Sequence, residues 1–210
     1  MRHGKYEANN NSYKPNQPYG RDREGFTKTV FLYLHDFVYL LLVIMLVLVL
    51  FLRVVVVSGS SMKNTLVDGD YLLLLSNILY QDPKQGDIVV ACKDTFRNGE
   101  PIIKRIIALE GQTVDIDFSS GKVYVDGKLL HETYIGSPTT VPEGVRFPVV
   151  VDEGCVFVLG DNRMDSQDSR SPAIGMIDQR EILGRAICLI IPGNDKGNSP
   201  RDFTRIGGLD

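Results

Sequence analysis

Three short clusters carry side chains whose types and spacing could do chemistry together. The first runs Ser58-Gly59-Ser60-Ser61-Met62-Lys63-Asn64-Thr65-Leu66. Its small residues permit tight bends with exposed amides. A serine there can present its hydroxyl beside free backbone N–H groups, as stabilisation of a tetrahedral oxyanion requires. The same letters also suit a plain linker. The second cluster is the run Pro101 to Leu109, PIIKRIIAL, with Lys104 among isoleucines. On a strand, Lys104 shares one face with Ile102 and Ile106, while Ile103 and Arg105 share the other. A lysine there either guards a sheet edge or is a buried amine whose charged form desolvation disfavours. An ordinary lysine is neutral in only a few molecules per ten thousand at pH 7. A drop of about 3 pKa units, roughly 4 kcal/mol, would make it a working general base.

The third cluster is Val156 to Arg170, VFVLGDNRMDSQDSR, an apolar strand leading into dense polarity. Asp161, Arg163, Asp168 and Arg170 suit ion pairs that lock a loop, although Asp- and Asn-rich turns are also simply solvated. The histidines exclude other chemistries. His3, His35 and His131 all lie outside the serine-bearing clusters, so neither a Ser-His-Asp triad nor a histidine-built zinc site is readily assembled. Cys92, Cys155 and Cys188 stand singly in apolar runs, without a C-x-x-C pair. They read as buried thiols, with one disulfide as the alternative.

These clusters need elements to position them. The chain has 210 residues, 43% hydrophobic and 23% charged, with net charge −3. That suffices for one sizeable domain plus an anchor, and no basic bias or motif points to nucleic acid. Residues 1–29 are polar and read as a disordered tail. Phe37 to Val57 is apolar apart from Arg53. As a helix it would extend about 31 Å, enough to cross a bilayer core. It is longer than a cleaved signal core and lacks the polar face of a surface helix. The anchor is therefore placed at 30–57. Arg2, Lys5, Lys14, Arg21, Arg23 and Lys28 precede it, which puts the tail on the cytoplasmic side and everything after Val57 outside the plasma membrane.

From Ser58 on, short apolar or alternating runs punctuated by Gly, Pro, Asp and Asn predict many strands and few helices. The expected fold class is mostly β, an antiparallel sheet or partly open barrel over 58–192 with one N-terminal transmembrane helix. Lys122 to Leu130 predicts a hairpin turning at Asp126-Gly127. Ser76 to Pro83 is the best short helix candidate. Residues 193–210 are polar and expected to be loose.

In this order, after an N-terminal span, the clusters resemble the bacterial type I signal peptidases. The family's nucleophile motif, roughly S-M-x-P-T-L, appears as Ser61-Met62-Lys63-Asn64-Thr65-Leu66. Its base motif, K-R-x-x-G-x-P-G-D, aligns with Lys104 to Gln112. Its third motif, G-D-N-R-x-x-S-x-D-S-R, is matched at every fixed position by Gly160 to Arg170. Smaller matches are Gly86-Asp87-Ile88-Val89, Ile174 to Ile177 and Ile182 to Arg185. The departures are Asn64 for Pro, and Ala108, Glu110 and Gln112 for Gly, Pro and Asp. None is a reacting group, but both turns should differ. The short stretch between the second and third motifs leaves no room for a large inserted domain.

The resemblance implies a serine endopeptidase that removes signal peptides from exported preproteins with small side chains one and three residues before the cut. Ser61 would be the nucleophile, favoured over Ser58 and Ser60 by the alignment on Met62 and Thr65-Leu66, and Lys104 the base. Ser166 would hydrogen-bond the lysine, with Asp168 and Arg170 holding its loop. The backbone amides of Ser61 and Gly59 would form the oxyanion site, and Met62 and Ile103 would contact substrate. The partners implied are preprotein signal peptides and the lipid bilayer. No nucleic acid, metal or cofactor is implied, and a monomer is expected. Two other readings stay open: a self-cleaving repressor, which shares a Ser–Lys dyad but carries a DNA-binding domain, and a single-span adaptor whose outer domain only binds.

Overall fold

The computed structural model describes residues 21–93, 96–197 and 200–209. It divides into two units, residues 1–45 and 46–210. One helix, α1 (Arg21–Phe51), accounts for the described part of the first unit. Its Gly25–Phe51 stretch is long and apolar enough to cross a membrane by length and composition. The expected tail at 1–20 lies outside the described residues, while 21–29 are helical. The helix also stops sooner than the apolar run does. Leu52–Val56 forms strand β1, not the last helical turn. Consecutive β-branched valines favour the pleated backbone, and β1 finds an antiparallel partner in Tyr71–Ser76.

The strands of the second unit follow as β2 (Tyr71–Ser76), β3 (Ile88–Cys92), β4 (Pro101–Leu109), β5 (Thr113–Asp117), β6 (Lys122–Val125) and β7 (Lys128–Leu129). After them come β8 (Val149–Val150), β9 (Cys155–Leu159), β10 (Ile177–Asp178), β11 (Ile182–Ile191) and β12 (Gly207–Gly208). One sheet has the order β1-β2-β11-β3-β4-β9-β10, with β12 against β11. The other has the order β7-β6-β5-β8. The pairings are antiparallel. Neither sheet closes into a barrel among the described residues, and the expected mostly antiparallel β class stands.

Three apolar clusters fix this arrangement. Met62, Leu66, Leu72, Leu74 and Ile103 belong to the first, which seats the serine-bearing segment on the sheet. Ile102, Ile106, Val156 and Val158 belong to the second. Ile107, Phe157 and Leu159 of the large sheet join Val114, Ile116 and Val123 of the small one in the third. At about 25 cal/mol per Å² of apolar surface, such side chains contribute roughly 1.5–3 kcal/mol each when fully buried. Ile102 and Ile103 falling into different clusters is the two-sided burial expected of a central strand.

Local turn chemistry was legible. Asp126 (φ 50°) and Gly127 (φ 73°) are both left-handed, as a type I′ hairpin turn demands. Two other expectations fail. Ser76 to Pro83 makes one turn, with the Leu79 and Tyr80 amides on Ser76 O (2.9 and 3.0 Å), and Pro83 follows too soon for a helix to extend. In the segment expected to be loose, residues 207–209 are instead tied down. Gly207–Gly208 pairs with Cys188 and Leu189 of β11, and Leu209 packs on the first core cluster.

Candidate active site

The serine-bearing segment is a closed loop. Val57 N–H donates to Asp70 O (2.8 Å) and Gly69 N–H to Val57 O (2.9 Å). Inside it, Thr65 and Leu66 amides both donate to Met62 O (3.1 and 2.8 Å), forming a single helical turn. Met62 and Leu66 are buried at 1% and 0% exposure and pin that turn, leaving Ser61 at its start. Asn64 sits at φ 95°, a conformation proline cannot adopt, so this turn differs from one built on S-M-x-P.

Lys104 comes from β4, between β3 and β9. The edge-strand reading of this lysine therefore falls. Its side chain is only 5% exposed, and Nζ donates to Ser61 Oγ at 2.7 Å. Ser60 is turned elsewhere, its Oγ donating to Asp165 (2.5 Å). Ser58 is exposed.

The third cluster closes over this pair. Asp161 is fully buried and accepts from Arg105 Nε (2.9 Å) and Nη2 (2.8 Å). It also accepts from Thr65 Oγ1 (2.5 Å). One carboxylate thus ties the residue after Lys104 to the turn that presents Ser61. Arg105 also donates to Gly86 O (2.8 Å) and stacks over Tyr134 at 4.1 Å, a geometry in which a cation is attracted by the ring face. Asn162 N–H donates to Ser61 O (3.0 Å) and its side-chain amide to Ser60 O (3.0 Å). Gly160 is required by contact. A Cβ there would stand 2.1 Å from Ser166 Oγ and 2.5 Å from Ser61 O.

Asp168 is the hub of the loop. It accepts from Gly160 N–H (3.0 Å), Ser166 Oγ (2.9 Å) and Arg170 Nε (2.8 Å). Arg170 also donates to Val141 O, Arg163 O and Ser166 O and pairs with Glu143 at 3.1 Å. Burial works against the Arg170 charge, but its bond to Asp168 and the Asp168 and Glu143 charges outweigh that and hold the guanidinium above its usual range. Burial pushes the Glu143 carboxyl up, aided by the nearby Asp168 charge, while Arg170 and Lys104 pull the other way.

Ser61 and Lys104 meet, and Ser166, Asp168 and Arg170 share one network, in which the Ser166 hydroxyl, expected on the lysine, donates to Asp168 (2.9 Å). Gly59 N–H, expected to face an oxyanion, donates to Asp68 Oδ1 (2.7 Å); the closed loop places that carboxylate directly over it. Met62 and Ile103 both line a cleft of about 640 Å³, together with Val55 to Ser61, Ile102, Lys104, Asp165 and Gln167. Sequence reasoning missed Asp68, Asp70, Glu132 and Tyr134. Asp70 is fully buried, and Glu132 pairs with Arg163, which donates to Gly160 O (2.9 Å). The Asp-Gly-Asp after Leu66-Val67 was the available signal, since two acids around a glycine suit a turn that captures amides. Cys92, Cys155 and Cys188 are half-buried, not fully buried as expected.

A buried lysine on a serine hydroxyl, in an open antiparallel β domain, defines a candidate serine hydrolase. Comparison with known proteins makes the class specific. The family model described as signal peptidase, peptidase S26, matches residues 30–191. Signal peptidase I of Bacillus licheniformis is 35% identical over 148 residues, covering 67% of this chain and 77% of that protein. Probable signal peptidase I-1 of Synechocystis sp. is 37% identical over 148 residues, covering 67% and 72%. The crystal structure of a signal peptidase I from Enterococcus faecalis V583 shares 30% identity, covers 50% of this chain and 97% of that one, and superposes with a TM-score of 0.42. The chain belongs to the signal peptidase family, peptidase S26, and is a serine endopeptidase.

Proposed function

We propose that this chain is a membrane-bound endopeptidase that cleaves N-terminal signal peptides from exported preproteins through a Ser61–Lys104 dyad. The observation that carries the reading is the 2.7 Å contact between Lys104 Nζ and Ser61 Oγ, made by a lysine 5% exposed. A buried site disfavours the ammonium and favours the neutral amine. The amine then accepts the Ser61 proton as Oγ bonds to the scissile carbonyl carbon. The resulting ammonium returns that proton to the departing amine as the C–N bond breaks, leaving an ester on Ser61. Water, deprotonated by the same lysine, attacks the ester, and its proton goes back to Ser61 Oγ as the acid is released.

The Ser61 amide is the oxyanion donor in this reading, and the Gly59 amide would have to leave Asp68 to join it. Ser166, Asp168 and Arg170 hold the loop over the dyad. Strand β1 lies at an end of its sheet and borders the cleft at Val55 and Val56. Its open edge suits an extended peptide, which would pair with backbone and place small side chains against Met62 and Ile103. In this reading helix α1 supplies the anchor, and the basic residues that precede the apolar run support a cytoplasmic N-terminal end.

The test uses the full chain in detergent or lipid vesicles with a preprotein bearing alanine one and three residues before the cut. Wild type should release one mature product and Ser61→Ala none. Equal cleavage by the two would sink the proposal. Protease added outside intact spheroplasts should digest the domain after Val57, and full protection of that domain would overturn the orientation.

A further inference from the structure

We infer that the described residues after the end of the family match at residue 191, 192–197 and 200–209, act as a strap that positions the Ser61 turn, with Arg205 as its positioning residue. The inference rests on the dyad reading above and adds a residue to it. The carboxylate of Asp70, 0% exposed, receives three polar groups from this segment. Gly193 N–H donates to Oδ1 (2.6 Å), Arg205 Nη1 to Oδ1 (3.1 Å) and Arg205 Nη2 to Oδ2 (2.7 Å). From within the serine-bearing loop the Val67 amide donates to it as well (2.8 Å). Gly193 is fitted to this approach, since a Cβ there would fall 2.3 Å from Asp68 O and 2.6 Å from Asp70 N. A second tie, Lys63 Nζ to Asp195 (3.2 Å), is more exposed and so contributes little.

Arg205 also reaches past Asp70. Its Nη2 donates to Thr65 O (3.2 Å). Thr65 is the joint of the site: its amide closes the turn on Met62 O, and its hydroxyl donates to Asp161, which holds Arg105. Arg205 therefore stands one hydrogen bond from the turn that presents Ser61 and three from the strand that presents Lys104. The forked guanidinium serves carboxylate and carbonyl at once, which a lysine cannot do with the same geometry. A misplacement of a fraction of an ångström at a nucleophile costs turnover without costing substrate affinity.

The test compares the full chain with Arg205→Ala and Arg205→Lys. Cleavage kinetics are measured on the preprotein, and amide hydrogen exchange is followed by mass spectrometry. Arg205→Ala should lower kcat about tenfold with KM within about twofold, and Arg205→Lys should fall between it and wild type. Exchange should quicken in peptides covering Ser61 to Leu66 and stay unchanged in those covering β4 and β9. Wild-type kcat in a folded Arg205→Ala protein would overturn the strap, and so would exchange that quickens equally in all peptides, the sign of a merely structural clamp. If wild type leaves the preprotein uncut, the dyad reading fails, and local exchange at Ser61 to Leu66 decides the strap by itself.

Discussion

Asp161 holds Arg105 in a two-pronged ion pair, Nε and Nη2 at 2.9 and 2.8 Å, with the two side chains 0% and 3% exposed. The pair couples the loop of the third motif to the strand of the base, one residue from Lys104. Removing one member strands a buried charge, which typically costs about 3–5 kcal/mol. Asp161→Asn should therefore lower the melting temperature markedly. A double substitution that also replaces Arg105 with Met should cost less than the two single changes added together. Additive losses would show that the pair is not coupled.

Lys104→Arg keeps the charge and much of the volume, yet guanidinium is not deprotonated in proteins. It should abolish preprotein cleavage as completely as Lys104→Ala does. On the dyad reading the neutral amine is the working form, so wild-type cleavage should rise with pH, and no histidine lies in the motifs that build the site. Substantial turnover by a correctly folded Lys104→Arg protein would remove Lys104 from the mechanism.

Glu143 predicts a pH dependence of stability. Burial raises its carboxyl in the folded protein, so folding favours the protonated form. Stability from this group is fully present below the ordinary glutamate range and is lost as pH rises through the raised folded value. Glu143→Gln removes that loss. Melting temperatures taken between about pH 4 and 8 should show the variant gaining on wild type as pH increases. Parallel melting curves across that range would refute the assignment.

Asn64 separates this turn from the motif it otherwise follows. At φ 95° a glycine is relieved of steric strain, so Asn64→Gly should be neutral or stabilising by up to about 1 kcal/mol. Proline, held near φ −65°, should destabilise the turn and depress cleavage, although proline is the letter the family motif carries there. Thermal melting and turnover of the two variants check this, and a fully active, equally stable Asn64→Pro protein would show that the turn can rebuild.

Much of the site was legible because its chemistry is written in contiguous stretches. Gly160 to Arg170 carry both the ions and the glycine that lets them approach Ser61, and the Asp126-Gly127 hairpin needs nothing beyond its own residues. What escaped depends on distant partners. The boundary between α1 and β1 falls inside one apolar run, where composition suits either structure and only pairing with β2 decides. Gly59 reads as an open amide until the loop closes and brings Asp68 over it. The polar letters after residue 192 look like solvated chain because Asp70, the charge that Arg205 answers, lies far upstream.

That separation bears on how the enzyme comes into being. Asp70 and Arg205 are 135 positions apart. A ribosome makes the Ser61 turn well before the guanidinium that answers Asp70, and contacts of such span are slow to close. With Arg205 as the strap, the Ser61 turn is left without one of its ties until Arg205 has been made. On that reading, the working geometry of the Ser61 turn is reached only once the distant guanidinium has met Asp70, so full activity follows long-range closure and not the making of the turn itself.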